Sequence, residues 1–171
     1  MTTTTSPRRR SIRSTSSQGP VIKLDFLMDM AIDVAVRVVG HGPFGTRQLY
    51  DVLGGEFKGP RLAGTVLRSG GDWMLMGADG VGRVDARVML ETTDGGLIYM
   101  LFNGVLEVND RVVAAASGSR EPDYEDAYFI TQPRFETGDV RYAWLNRCLG
   151  LAEGKVGRGK VHYRVFRAVK G

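Results

Sequence analysis

The sequence predicts an all-β fold, a sandwich or a closed antiparallel β-barrel of about eight to ten strands with one short helix. Three observations carry that reading. Glycine is abundant, at 23 of 171 residues, roughly twice its usual share of about 7%. Turn signals recur at short spacing, at Gly54-Gly55, Gly70-Gly71-Asp72, Ala78-Asp79-Gly80 and Asp94-Gly95-Gly96, where glycine and aspartate let a chain reverse. Between them, apolar and polar residues alternate with the period of a strand. Closure into a barrel has the added merit of leaving no exposed edge.

The elements follow in order. Val21–Val39 reads as a long first strand, with Leu24, Phe26 and Met28 set against Lys23, Asp25 and Asp29. Gly40–Gly45 contains three glycines and a proline and reads as a loop. Short strands are expected over Arg47–Leu53, Arg61–Leu67 and Trp73–Met76. The turn at residues 78–80 leads into Val81–Thr92, and the turn at 94–96 leads into Leu97–Val105. Asp110–Ala116 is the one short helix, with Asn109 able to accept an orphan backbone N–H as its N-cap. Tyr124–Thr137 reads as a long strand that Pro133 interrupts, which points to an edge or a bulge. Arg141–Leu151 and Val161–Ala168 close the chain, with Glu153–Lys160 as the last turn.

Composition bounds the function. Hydrophobic residues make up 43% and charged residues 25%, ordinary for a globular chain. One domain is expected over residues 21–171, behind a basic, disordered tail over residues 1–20. The net charge is +4, and Arg8, Arg9, Arg10 and Arg13, with no acid among the first twenty residues, account for all of it. Residues 21–171 are therefore charge-balanced, so no nucleic-acid partner is expected. With one cysteine, Cys148, and two histidines, no internal disulfide and no four-ligand zinc site of the usual kind can be built. Asp33 and Arg37 break the longest apolar stretch, so no membrane span is expected and the cytoplasm is the default location. There is no Gly-x-Ser-x-Gly elbow, phosphate-binding Gly-x-x-x-x-Gly-Lys, His-Glu-x-x-His or Cys-x-x-Cys. No cofactor and no metal are therefore expected.

A set of linked segments adds to this. It begins with Gly54-Gly55-Glu56-Phe57-Lys58-Gly59-Pro60-Arg61-Leu62 and continues through Gly71-Asp72-Trp73, Asp79-Gly80-Val81 and Asp85-Ala86-Arg87. Glu91-Thr92, Asp94-Gly95, Ile98-Tyr99, Tyr128-Phe129, Thr131, Pro133–Thr137 and Tyr142–Arg147 follow. In this order they resemble a bacterial and fungal family called domain of unknown function 3237, over about residues 24 to 168. The resemblance implies a small β-barrel with a central cavity, and no settled activity.

The candidate chemistry lies in charged pairs at strand spacing. Asp85, Arg87, Met89 and Glu91 share one face of their strand, and Val84, Ala86, Val88 and Leu90 share the other. Arg134 and Glu136 likewise share a face, with Phe135 opposite. An arginine beside a carboxylate keeps it ionised and can grip a substrate carbonyl or enolate. If these faces turn inward, Asp85 or Glu136 would transfer protons while Arg87 and Arg134 stabilise developing negative charge. If the apolar face turns inward, Asp85 and Arg87 are an ordinary exposed pair. The resemblance favours the lumenal role, because these residues fall within its motifs. Trp73, Tyr99, Tyr128 and Trp144 are candidate ligand contacts, against the plainer role of core packing. Asn146 could donate to a ligand carbonyl, and His41 could act from a loop over a barrel mouth. His162 reads as a surface residue and Cys148 as a small buried hydrophobe.

The expected function is a cofactor-independent enzyme of isomerase, lyase or cyclase type. Its substrate would be a small, partly apolar metabolite, aromatic or polyketide-like, bound in the barrel. The alternative is a non-catalytic, lipocalin-like carrier barrel. A third reading is a partner-binding module whose arginine tail meets an acidic surface. The sequence leaves a homo-oligomer open.

Overall fold

The computed structural model describes residues 21–171. The basic tail expected over residues 1–20 lies outside the described residues. Among the described residues nine strands form one antiparallel sheet: β1 (Ile22–Gly42), β2 (Gly45–Lys58), β3 (Ala63–Asp72), β4 (Leu75–Met76), β5 (Val81–Thr92), β6 (Leu97–Glu107), β7 (Phe129–Glu136), β8 (Gly150–Gly157) and β9 (Lys160–Lys170). The order β1-β9-β8-β7-β6-β5-β3-β2 returns to β1 through a β1–β2 ladder, so the sheet closes into a ring. Two-residue β4 continues the line of β3 and pairs with β2 and β5. The ring is a barrel-like structure, although its strands are not evenly disposed about an axis.

Strand alternation decides what lies inside. Along β5, Val84, Ala86, Val88 and Leu90 are buried, at 4%, 2%, 2% and 0% exposure. Burying a large aliphatic side chain contributes about 1.5–3 kcal/mol, and these residues join one core with Met28, Ile98, Met100, Phe102 and Val165. The intervening charged residues face outward. Along β5 the apolar side lies inside and the charged side outside, the reverse of a membrane-spanning strand, whose outward residues are apolar. Among the described residues no helix is long and apolar enough to cross a membrane.

Several elements differ from expectation. Residues 40–42 stay in β1, so the chain reverses at Pro43-Phe44. Gly54-Gly55 does not end a strand; β2 runs through it with a shift in register against β1. Gly55 has φ near +150°, and a Cβ there would meet the Ala31 carbonyl oxygen at 2.1 Å. Only glycine fits this bulge. Tyr124–Asp126 is a short 3-10 turn rather than the start of β7, capped by Asp123. Residues 143–147 form a second 3-10 turn where a strand was expected. Strand β8 instead occupies most of the segment read as the last turn, which shrinks to Arg158-Gly159.

Pro133 lies inside the ring, its side chain fully buried. It has no N–H to offer, and the β7–β8 ladder is confined to Ile130 and Thr131 opposite Glu153 and Ala152, with a lone bridge from Arg134 to Leu149. The helix α1 (Asp110–Ser117) forms as expected. The side chain of Asn109 accepts from the backbone N–H groups of Arg111 and Val112 at 2.9 and 3.1 Å, Gly118 closes it in the left-handed region, and Val112 joins the core.

Candidate functional site

Residues from all eight strands of the ring line one cavity inside the barrel. Its volume is about 40 Å³, room for roughly three water molecules, and it is partly open to solvent. Its wall is mostly apolar, with Val84, Ala86 and Val88 of β5 on one side. Three polar side chains interrupt that wall: Tyr50 of β2, Asp72 at the end of β3 and Tyr163 of β9.

The sheet brings the first two together. Tyr50 stands directly opposite Asp72, which in turn stands opposite Ala86. The Asp72 carboxylate Oδ1 accepts the backbone N–H of Asp85 at 2.9 Å. The Trp73 N–H returns to the Asp85 carbonyl at 3.0 Å, so the end of β3 is fixed on β5 from both sides. Burial raises the Asp72 pKa from 3.8 to about 6, and the nearby Asp85 charge adds to this, while the Asp85 N–H and the Arg47 charge oppose it. A carboxyl poised near neutrality can both take and give a proton.

The two phenols respond to the same environment. Burial pushes the Tyr50 hydroxyl pKa up, and the Asp72 charge adds to it. The Tyr50 hydroxyl donates to Gln48 Oε1 at 3.0 Å. Tyr163 is 5% exposed, and burial, followed by Asp72 and Tyr50, raises its pKa well above the ordinary value. Both phenols therefore stay protonated and serve as donors. Edge-to-face contacts with Phe102 and Phe129, at 5.3 and 5.4 Å between ring centres, hold the Tyr163 ring. Arg47 does not line the cavity; its guanidinium donates to the Trp73 carbonyl. Among the described residues no three His, Cys, Asp or Glu side chains converge as metal ligands would.

None of the ten residues singled out from the sequence lines this cavity. Asp85 and Arg87 form a 2.8 Å ion pair on the outer face, with side chains 43% and 42% exposed. Arg134 and Glu136 are also exposed on the outside of β7. The lumenal proton transfer expected of these four thus has no geometry to support it, because the apolar face of each strand turns inward. Trp73 is exposed, with the Arg87 guanidinium 5.7 Å from its ring centre. Tyr99 sits on the outer face opposite Glu136, and Tyr128 is exposed. Trp144 stacks beneath Arg61 at 3.8 Å. Asn146 spends its amide on the backbone of Thr137, accepting from its N–H at 2.8 Å and donating to its carbonyl at 2.9 Å. His41 is exposed on the β1–β2 hairpin, 3.4 Å from the Thr46 hydroxyl. The sequence did carry one usable signal, since Tyr163 alternates with Val161 and Val165 and so shares their inward face.

The chain is similar to known proteins over most of its length. A UPF0311 protein of Rhodopseudomonas palustris is 32% identical over 105 residues, 61% of this chain and 69% of that one. One from Clostridium acetobutylicum is 30% identical over 120 residues, 70% of this chain and 76% of its own. The crystal structure of a Rhodopseudomonas palustris protein of unknown function superposes with a TM-score of 0.80 at 26% identity, covering 88% of this chain and all of that one. A structure described as an enzyme from Penicillium herquei shares the fold, with a TM-score of 0.64 at 18% identity over 91% of this chain and 99% of the other. The family model described as protein of unknown function (DUF3237) matches residues 22–168. The chain therefore belongs to the DUF3237 family.

Proposed function

We propose that the protein is an enzyme of isomerase, lyase or cyclase type that works by acid–base chemistry of its own side chains inside the barrel. The observation that carries this reading is the Asp72 carboxyl, set into an apolar wall between Tyr50 and Ala86 with its pKa raised to about 6. Asp72 takes a proton from a bound substrate and returns it elsewhere on the same molecule. The protonated phenol of Tyr163 stabilises the negative charge that develops between the two transfers. The substrate is a small, partly apolar metabolite, aromatic or polyketide-like. Its reacting end occupies the narrow cavity and the remainder lies toward the opening. The Penicillium herquei structure described as an enzyme lends the fold alone, because fold does not dictate function.

A carrier barrel is the second reading, and the apolar wall favours it. A carrier has no need of a carboxyl held at high pKa in that wall. The deciding experiment is a mass-spectrometric turnover screen of small aromatic and polyketide-like compounds with the native protein and Asp72→Asn. Conversion of a compound by the native protein and not by the variant supports the enzyme. Compounds that raise the melting temperature of both proteins and are converted by neither would leave the carrier.

A further inference from the structure

We propose that the lumen selects uncharged ligands that present a carbonyl-type oxygen to the Tyr163 hydroxyl, and that it refuses carboxylates and phosphates. The proposal rests on the lumen being a ligand site and not on any turnover there.

Tyr163 carries the argument. It is 5% exposed, its ring is held by Phe102 and Phe129, and it lines the cavity. Its hydroxyl makes no hydrogen bond to any described residue, and it is not sealed in the core, since the fully buried side-chain polar atoms without a hydrogen-bond partner among the described residues are Asp51 Oδ2 and Thr131 Oγ1; it is open to the cavity that Tyr163 lines. A donor so placed awaits an acceptor from outside the chain. Tyr50 offers no second free donor, because its O–H is spent on Gln48. Asp72 commits Oδ1 to the Asp85 N–H, and Oδ2 has no hydrogen-bond partner among the described residues.

The charge of the wall sets the rest. Among the described residues no Lys, Arg or His side chain lines the cavity, and Arg47 is engaged outside it at the Trp73 carbonyl. A ligand anion would lose its water, find no cation and face the Asp72 carboxyl. An ammonium group could approach Asp72 but would leave the Tyr163 O–H hydrogen unpaired. An uncharged ketone or enone satisfies Tyr163 and places its acidic C–H protons beside Asp72 without either cost.

The test uses methyl NMR of the full chain at pH 8, following Ile32, Val84 and Val88 of the cavity wall with three single-ring probes, each of which enters the narrow cavity by its polar end and leaves its ring toward the opening. Cyclohex-2-enone should shift these methyls saturably, and benzoate at the same concentration should not. Tyr163→Phe should weaken cyclohexenone binding about fivefold, the worth of one neutral hydrogen bond, while its melting temperature stays equal or rises. Benzoate binding as tightly as cyclohexenone would overturn the proposal, as would unchanged cyclohexenone binding by Tyr163→Phe. Benzylamine binding more tightly than cyclohexenone, and lost in Asp72→Asn, would make the lumen a cation site instead. If none of the three moves the wall methyls, the lumen is not a ligand site and the reading on which this proposal rests falls too.

Discussion

The backbone N–H of Asp85 donates to Oδ1 of Asp72 at 2.9 Å, tying a residue of the outer face to the carboxyl of the lumen. The Asp85 side chain meanwhile accepts from Arg87 at 2.8 Å and from Asn103 at 3.0 Å. An exterior polar cluster thus fixes the stretch of β5 on which the interior carboxyl leans. The charged face of this strand acts on the lumen through the backbone and through the field of its charges, not by side-chain contact.

That connection has a measurable consequence. The Asp85 charge helps to raise the Asp72 pKa, so Asp85→Asn should lower the Asp72 titration midpoint while leaving the N–H donor in place. Arg87→Ala should cost less than about 1 kcal/mol in urea unfolding, as exposed pairs do. An Asp72 midpoint unmoved by Asp85→Asn would show that the two carboxyls do not sense each other.

Asp72 should make stability depend on pH. Its folded-state pKa of about 6 lies above the ordinary 3.8, so the native state holds the proton more tightly than the unfolded chain. The stabilisation is fully present below pH 3.8 and is lost as pH rises through 6, to the extent of about 3 kcal/mol. Asn has no charge to desolvate, and its oxygen still accepts the Asp85 N–H. Asp72→Asn should therefore match the native protein in urea unfolding at pH 4 and exceed it at pH 8, as removal of a strained functional group often does. A variant equally destabilised at both pH values would contradict this.

Asn146 should prove structural. Asn146→Ala removes both bonds to the Thr137 backbone, at a cost of about 1–3 kcal/mol. The resonances of the cavity methyls should not move. A change at Val84 or Val88 in this variant would place Asn146 in contact with the lumen after all.

Gly55→Ala should be more damaging than any of these. Its Cβ would meet the Ala31 carbonyl oxygen at 2.1 Å from a backbone at φ +150°, and neither can give way without opening the β1–β2 ladder. A loss of about 3 kcal/mol or more is expected from thermal unfolding, against a near-neutral outcome if the bulge can relax.

The residues show why the fold was more legible than the site. The period of two in Val84-Ala86-Val88-Leu90, the hairpin signals at residues 78–80 and 94–96 and the Asn109 cap are local, and each specified its element. The 3-10 turns at residues 124–126 and 143–147 were misread because their aromatic residues suit a strand equally well. Which face of β5 turns inward is a property of the closed ring, and alternation alone defines two faces without ranking them. Asp72 was hidden for a related reason, since Gly70-Gly71-Asp72 carries the chemistry of a turn. Its place opposite Tyr50 and Ala86 exists only once β2, β3 and β5 are in register. Tyr163 was accessible in principle, because it keeps step with Val161 and Val165.

The most direct test of Asp72 as the acid–base group is a carbon-13 NMR titration of its side-chain carboxyl, assigned by its loss in Asp72→Asn. A midpoint near pH 6 is expected for a carboxyl buried in the barrel wall. A midpoint at or below the ordinary 3.8 would mean that Asp72 is an ionised, solvated carboxylate at neutral pH, and the proposed chemistry of the lumen would have no base.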